Sequence, residues 1–253
     1  MAESSLYIDP KQYAVITLNR PHKLNSISKN TIKELDNHLT EVTNRHDLKF
    51  LIITGNGEKA FCSGGDLNDF HGEMSEQEAY KTLKPMQEII YKLATLHIPT
   101  IAWLNGLARG GGLELASACD FRFATPNADF GFIQGKLGIA TGWGGGTLLY
   151  ERINSNHAFQ WMIESDIKTT SELLTIGFFQ KEINDLTISE NHEALKPYID
   201  RSVEQMRHWK KQRLNFMELN LMKKRMEDEV RTCSKLWVSD EHKRAVKQFL
   251  SKK

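Results

Sequence analysis

Residues 104–120 read LNGLARGGGLELASACD and include three consecutive glycines at positions 110–112. They follow a short apolar run, Thr100–Leu104, which predicts a buried strand, and they lead into residues 113–118, whose composition is typical of a helix. A glycine-rich turn before a helix leaves backbone N–H groups unpaired, and without Cβ atoms a ligand oxygen can approach them closely. The turn therefore suits a carboxylate, a phosphate or an oxyanion. Glu114 lies one turn into the helix, within reach of the same point.

A second glycine-rich turn, CSGGD at residues 62–66, follows the strand predicted over residues 49–54. If the strands before the two turns lie in one sheet, both turns emerge at the same edge and their N–H groups can converge on one oxygen. Two N–H donors aimed at a carbonyl that becomes anionic form an oxyanion hole, in which each donor is worth about 3–4 kcal/mol to the transition state. Taken alone, the glycines are equally compatible with tight turns that bind nothing.

Strands and helices alternate along the first part of the chain. Apolar residues at helical spacing predict helices over residues 28–45, with Ser28 as N-cap, and over residues 75–97, where Pro85 predicts a kink or two shorter helices. Strand-then-helix units of roughly 40 residues indicate an α/β fold with crossover connections and a coiled, repetitive architecture. Further strands are predicted at Tyr13–Leu18 and Phe121–Ala124.

Composition and charge argue against several classes of function. The 253 residues carry 33 Lys and Arg against 32 Asp and Glu, a formal net charge of +1, which gives no electrostatic basis for binding nucleic acid or an anionic membrane. Three cysteines without CxxC spacing indicate reduced thiols rather than a disulfide framework or a zinc site. The N-terminus lacks the pattern of a signal peptide, and no apolar stretch approaches the ~20 residues that cross a bilayer. We therefore expect a cytoplasmic protein without a membrane partner.

The last quarter of the chain differs from the rest. From about residue 193 it is rich in Lys, Glu, Gln, Met and Leu, with one proline and no glycine, which is helix composition. We divide the chain into a core, residues 1–192, and a helical C-terminal region, residues 193–253. Its apolar side chains are expected to pack against the core or a second subunit rather than to bind a cofactor; they include Leu214, Phe216, Leu219, Met222 and Met226.

Four motifs in this order resemble those of the crotonase superfamily, the enoyl-CoA hydratase/isomerase family. They are NRP with LNS at residues 19–26, AFCSGGD at 60–66, NG with GGGLELA at 105–116, and CD at 119–120. The resemblance covers roughly residues 5–185 and is less diagnostic in the helical tail. It implies a spiral of stacked ββα units, a C-terminal trimerisation region that builds a homotrimer or a dimer of trimers, and an acyl-CoA thioester substrate.

The resemblance also implies roles for individual residues. The oxyanion-hole amides of the family fall on Ser63 and Gly111, which would polarise the thioester carbonyl so that an enolate forms. His22 and Leu24 match positions at the nucleotide end of the substrate. No metal, nicotinamide or nucleophilic triad is implied, and coenzyme A enters only as part of the substrate. The residues expected to contact it are His22, Leu24, Ser63, Gly64, Gly65, Asp66, Leu67, Gly110, Gly111 and Trp143.

The reaction depends on a pair of positions that are both glutamate in enoyl-CoA hydratases, where one acts as base and the other as acid. The first matches Glu114. The second lies in the segment F-G-x-x-E, and here that segment ends in Gln134. An amide can orient a water or hold a carboxylate, but it cannot exchange a proton. Hydratase or isomerase chemistry with Glu114 as acid/base is therefore expected to be weakened, and losing one member of such a pair typically costs ~10²–10⁴ in rate.

Two alternatives remain open at this stage. Where hydratases commonly have P-G-A-G-G, residues 141–145 read TGWGG, and with FCSGGDLN and ACDFR this resembles the ethylmalonyl-/methylmalonyl-CoA decarboxylase branch. Loss of CO₂ generates the enolate itself, so no base is needed; against this, Glu114 would lie near the substrate carboxylate unless it is protonated or turned away. The other alternative is a non-catalytic acyl-CoA-binding subunit. Hydro-lyase and carboxy-lyase activity are both compatible with the residues.

Overall fold

The core contains three consecutive units, each made of two strands followed by a helix or a turn. The first strand of each unit belongs to one sheet and the second strand to another. The structure, a computed structural model, describes residues 2–70 and 74–250, with side chains except at positions 67, 68, 249 and 250. The first strands of the units belong to a six-stranded sheet, and the second strands to a four-stranded sheet. The strands are β1 (Ser4–Asp9), β2 (Tyr13–Leu18), β3 (Phe50–Gly55), β4 (Ala60–Cys62), β5 (Thr100–Leu104), β6 (Leu107–Arg109), β7 (Phe121–Ala124), β8 (Asp129–Gly131), β9 (Lys168–Thr169) and β10 (Lys181–Glu182).

The large sheet has the order β1-β2-β3-β5-β7-β10, parallel throughout except for the antiparallel pair β1–β2. Its strands are apolar on both faces because both faces are covered, as in other parallel sheets. Alternate residues of β3 belong to different cores: Leu51 and Ile53 pack with the N-terminal helices, whereas Phe50 and Ile52 pack with the segment that includes Leu195 and Met206. The sheet is thus the middle layer of the molecule.

The glycine turns leave the small sheet, whose order is β4-β6-β8-β9, and not the large one. The expectation that the glycine triplet directly follows Thr100–Leu104 is wrong, because β6 intervenes between that strand and the turn. β4 and β6 are neighbouring parallel strands, so the two turns do emerge at one edge of one sheet. Strands of three residues are too short to give a period in the sequence, which is why they were not predicted.

The two predicted helices form, and the first has its expected N-cap, Ser28. Ser28 caps the first helix and Ser75 caps the third, each with a reciprocal capping box. Pro85 does not split the third helix, which is continuous over 19 residues. Pro85 and Lys81, whose carbonyl loses its N–H partner, are both exposed, so water can satisfy that carbonyl. The helices are α1 (Lys29–Asn44), α2 (Leu67–Phe70), α3 (Glu76–Ala94), α4 (Gly111–Ala118), α5 (Gly145–Tyr150), α6 (Ser155–Glu164), α7 (Thr170–Thr175), α8 (Lys196–Ile199), α9 (Val203–Phe216), α10 (Leu219–Trp237) and α11 (Asp240–Leu250).

The helical C-terminal region packs on its own core. On α10, Glu227 accepts hydrogen bonds from Tyr80 and Lys84 of α3, each at 2.6 Å, and Met222 and Met226 are buried. Phe216, at the end of α9, is 95% exposed. Assembly into a trimer or a dimer of trimers stays a prediction. Within the described ranges no helix is long and apolar enough to span a membrane.

Candidate active site

A cavity of about 710 Å³ lies between the two glycine turns and α10. All of the predicted CoA-contacting residues whose side chains are described line it, and so do Glu114 and Gln134; the side chain of Leu67 lies outside the described part of the chain. The site predicted from scattered motifs is therefore one continuous space. Its lining includes His22, Leu24, Ser63, Gly64, Gly65, Asp66, Gly110, Gly111 and Trp143.

The two turns are in direct contact. A Cβ placed on Gly64, which has φ +97°, would lie 3.3 Å from the Gly111 nitrogen and 3.2 Å from the Arg109 oxygen. A residue with a side chain would both strain this backbone and push the turns apart. The two turns therefore lie side by side, with the backbone of Gly64 against that of Gly111.

The N–H group of Ser63 is not available to a substrate, which corrects the predicted assignment. It donates to the carbonyl of Leu24 at 3.1 Å. The neighbouring N–H of Gly64 donates to the Cys62 Sγ atom at 3.4 Å, and the N–H of Asp66 donates to the Ile27 carbonyl at 2.8 Å. In this turn the N–H of Gly65 has no acceptor among the described residues, and neither has that of Gly111 in the other turn.

The reason for this correction lies in the loop before α1. Leu24 and Asn25 both have positive φ, 51° and 53°, which turns the Leu24 carbonyl toward Ser63. A leucine in the left-handed region is uncommon and carries no sequence signal. Asn25, by contrast, is of a residue type that tolerates this conformation.

The motif residues around Arg20 fasten this loop to the glycine turn. Arg20 Nη2 lies 2.6 Å from the Asp66 carboxylate, and its Nη1 donates to the Ser26 carbonyl at 2.8 Å. Asn25 Nδ2 donates to the Ala60 carbonyl at 2.7 Å. Asp66 thus lines the cavity, but its carboxylate is paired with Arg20 and stabilises the turn.

Glu114 is buried and its carboxylate accepts four hydrogen bonds. Oε1 accepts from Gln134 Nε2 at 3.0 Å and from the Gly142 N–H at 3.3 Å, and Oε2 accepts from the N–H groups of Trp143 at 2.8 Å and Gly145 at 3.0 Å. Burial and the nearby Glu229 carboxylate raise the pKa of Glu114 to about 7, although the three backbone N–H groups favour the ionised form. A carboxyl group with this pKa can serve as acid or base near neutral pH.

Gln134 stands where the resemblance predicts a second carboxyl group. It lies in a 3₁₀ turn, Ile133–Leu137, that follows β8, and its amide contacts Glu114 through Nε2. Its Oε1 is buried and has no hydrogen-bond partner among the described atoms. Since the other member of the pair is neutral, Glu114 is the only one of the two that can exchange a proton.

Two glycines permit close approaches in this site. A Cβ on Gly145 would lie 2.3 Å from the Glu114 Cβ, and a Cβ on Gly111 would lie 2.1 Å from the Trp143 ring. Glycine at these positions lets the 142–147 turn rest on Glu114 and lets the indole of Trp143 cover the Gly111 turn. Trp143, at 5.7 Å from the Phe70 ring between centroids, narrows the cavity on this side.

The opposite wall comes from α10 of the C-terminal region, and the sequence analysis did not predict it. Cys233 and Trp237 line the cavity, and the Trp237 indole donates to the Phe70 carbonyl at 3.1 Å. Glu229 accepts hydrogen bonds from the N–H groups of Gly144 and Thr147, at 3.0 and 2.8 Å. With Met226, these residues occupy one face of the helix at spacings of three and four, a pattern that could have indicated an inward-facing stripe.

No three His, Cys, Asp or Glu side chains within residues 2–70 and 74–250 are grouped so as to hold a metal ion.

The sequence and the fold were compared with those of known proteins. The sequence pattern described as enoyl-CoA hydratase/isomerase matches residues 10–253. A crotonyl-CoA hydratase of Syntrophomonas wolfei subsp. wolfei is 34% identical over 184 residues, which are 72% of this chain and 70% of that protein. An ethylmalonyl-CoA decarboxylase of Xenopus laevis is 31% identical over 222 residues, 87% of this chain and 72% of that protein.

The fold has a solved counterpart. The crystal structure of an enoyl-CoA hydratase from Bacillus halodurans matches with a TM-score of 0.87 and 23% sequence identity, over 97% of this chain and 99% of that chain. The mixed α/β fold with ββα-type units predicted from the motifs is thereby confirmed. Since the family pattern matches residues 10–253 and the relatives are 31–34% identical over more than two thirds of the chain, this protein belongs to the enoyl-CoA hydratase/isomerase family, the crotonases.

Proposed function

We propose that the protein stabilises the enolate of an acyl-CoA thioester in an oxyanion hole formed by the N–H groups of Gly65 and Gly111, with Glu114 as its acid. These two N–H groups belong to turns in contact and have no acceptor among the described residues. They can therefore donate to a thioester oxygen without giving up another bond. Preorganised donors of this kind stabilise charge that develops on an oxygen.

The reaction that this site supports best is decarboxylation of a malonyl-type thioester. One observation carries this choice: Glu114 is a buried carboxyl group with a pKa raised to about 7, and its partner Gln134 is neutral. Asp66, the other carboxyl group among the described lining residues, is paired with Arg20. Among the described lining residues, Glu114 is thus the carboxyl group that can exchange a proton and is not in an ion pair with a cation.

One such group is sufficient for decarboxylation. The bond between the α-carbon and the carboxylate carbon breaks, CO₂ leaves, and the electron pair remains in the enolate, whose oxygen is held by the two N–H groups. Protonated Glu114 then donates its proton to the α-carbon, and water restores that proton afterwards. Protonation of Glu114 also removes the repulsion between its carboxylate and that of the substrate.

Hydration of an enoyl-CoA is the second candidate. Relatives named as hydratases support it, and the buried, unpartnered Oε1 of Gln134 can accept a hydrogen bond from a water. In that reaction Glu114 acts first as a base. The absence of a carboxyl group at position 134 argues that hydration is slow.

Two substrates distinguish the candidates. The protein is incubated with ethylmalonyl-CoA and, separately, with crotonyl-CoA. CO₂ release from the first supports decarboxylation, and water addition to the second supports hydration. If neither substrate reacts although both bind, the non-catalytic acyl-CoA-binding alternative is the better account.

The rates of the two reactions are expected to change with pH in opposite directions. As pH rises through about 7, Glu114 loses its proton. We expect kcat/KM for decarboxylation to fall over this range, because the acid is lost and the carboxylates repel. A base-dependent hydration would rise instead. Steady-state rates across the neutral range check this, and a flat profile would contradict the role of Glu114 in either reaction.

Installing the missing carboxyl group tests the part played by Gln134. We expect Gln134→Glu to raise crotonyl-CoA hydration by roughly tenfold, a fraction of what a fully adapted acid/base partner supplies. Gln134→Met, which has similar length and no charge, serves as the control and should give no increase. If the glutamate variant hydrates crotonyl-CoA no faster than the parent, the neutral residue at 134 is not what limits hydration.

A further inference from the structure

The turn at residues 142–147 donates its six backbone N–H groups to two carboxylates, three to each. Glu114 of α4 accepts those of residues 142, 143 and 145, at 3.3, 2.8 and 3.0 Å. Glu229 of α10 accepts those of residues 144, 146 and 147, at 3.0, 3.1 and 2.8 Å. Six consecutive donors are thus shared between one acidic residue from the core and one from α10.

Glu229 also has contacts that fix it in place. Its Oε2 accepts from the Thr147 hydroxyl at 2.8 Å, next to the N-terminus of α5, where a negative charge is favoured. On the same helix, Met226 fills the space beside Gly144, whose missing Cβ would lie 2.3 Å from the Met226 methyl group. Glu227 anchors the helix to α3 on a different face. The carboxylate of Glu229 is therefore held by its helix as well as by the turn.

We propose that Glu229 is a positioning residue for the active site: its carboxylate holds the 142–147 turn against Glu114 and sets a second negative charge beside it. This inference rests on the proposed function, in which Glu114 is the acid. Helix α10 thereby helps to set the proton affinity of a residue that lies more than a hundred positions earlier in the sequence.

The groups that face Glu114 agree with this role. Titratable neighbours come from α10: Glu229, and Cys233, whose thiol is kept neutral because burial and the charges of Glu114 and Glu229 raise its pKa well above the usual value. The 3₁₀ turn contributes the uncharged amide of Gln134, and the 142–147 turn contributes N–H groups. Of the side chains described, Glu229 is thus the charged group that opposes ionisation of Glu114.

The test measures the protonation of Glu114 directly, so it does not depend on turnover. Glutamate labelled with ¹³C at the carboxyl carbon is incorporated, and the Glu114 resonance is assigned by its loss in Glu114→Gln. We expect Glu229→Gln, whose amide oxygen can still accept hydrogen bonds from the turn, to move the midpoint of the Glu114 titration to lower pH by roughly one pH unit, because a neighbouring like charge is removed. Glu229→Ala also releases the turn, which weakens the N–H groups' support of ionised Glu114, so its midpoint should lie above that of Glu229→Gln. Glu227→Gln removes the same charge two residues away on the same helix and should leave the midpoint unchanged.

Each remaining outcome overturns the inference. An unchanged midpoint in Glu229→Gln, or an equal shift in Glu227→Gln, would mean that the charge of Glu229 does not act on Glu114 in particular. A midpoint in Glu229→Ala no higher than that in Glu229→Gln would mean that Glu229 does not hold the turn against Glu114. Failure of both Glu229 variants to fold, with Glu227→Gln folded, would mean that Glu229 serves the fold alone. Failure of the proposed function has a separate signature, since Glu114→Gln would then retain its turnover whatever the titration gives.

Discussion

Glu114→Gln is expected to lower turnover of the reacting acyl-CoA by about 10²–10⁴-fold, the usual contribution of a positioned acid or base. Glutamine has the shape of glutamate but cannot deliver a proton. Its amide nitrogen would also face donors, because all four partners of Glu114 present N–H groups to it. Binding of the CoA portion should persist, since the N–H groups of Gly65 and Gly111 and the surface around His22 and Leu24 are untouched.

The measurement that separates these effects is kcat together with the dissociation constant of an unreactive acyl-CoA, obtained by calorimetry. Glu227→Gln is the matched control, because it also replaces a carboxylate with an amide, but at a residue outside the cavity lining. This variant should keep its kcat. A Glu114→Gln variant that retains turnover within a few-fold of the parent would remove Glu114 from the mechanism. A variant that loses binding to the same extent as turnover would make it a residue of the binding surface only.

The sequence predicts the residues around Glu114 well because each of them lies in a short motif that can be recognised by itself. The pair Glu114 and Gln134 was found by motif, and the two are in hydrogen-bond contact. The strands Thr100–Leu104 and Phe121–Ala124 have the predicted bounds, because continuous apolar runs between turn residues are strong signals. The proximity of the two glycine turns followed from placing each turn after a strand of one sheet, although the strands concerned are β4 and β6.

What the sequence left undetermined depends on geometry at a distance. Which N–H of the turn at 62–66 is available depends on the backbone of Leu24, almost 40 positions away, and a φ value leaves no trace in composition. The wall formed by Cys233 and Trp237 depends on how α10 docks. Apolar residues at spacings of three and four in a helix indicate that one face is buried, but they do not indicate which part of the protein covers that face.

A buried ion pair connects α9 to the residue that directly precedes β7 of the large sheet. Lys210 Nζ lies 2.6 Å from Asp120 Oδ2, and both side chains are almost wholly inaccessible to water, at 1% and 3% exposure. Asp120 also accepts from the Thr100 N–H at 2.9 Å and lies 3.2 Å from Arg213 Nε. Burial alone would raise the pKa of Asp120, but Lys210 and the neighbouring arginines outweigh it and hold the pKa below its usual range.

Asp120→Asn is therefore expected to lower the free energy of unfolding by about 3–5 kcal/mol, because it leaves the Lys210 ammonium buried without its counter-charge. Urea denaturation at neutral pH measures the loss. Asp120→Asn combined with Lys210→Met should be less destabilised than the asparagine variant, since the stranded charge is removed as well. A loss below about 1 kcal/mol in the single variant would place this pair among the weak surface ion pairs.

The acid side of the stability curve gives an independent check on the same residue. A carboxylate with a depressed folded-state pKa contributes stability above its unfolded value and loses that contribution as the pH falls through the folded value. The parent should thus lose stability steeply below about pH 4, and Asp120→Asn should lose less over that range. Because neither Asp120 nor Lys210 lines the cavity, the folded fraction of the variant should keep its turnover. If it does not, the docking of α9 and the geometry of the active site are coupled, and the loss of stability and the loss of turnover should then both be smaller in the double variant.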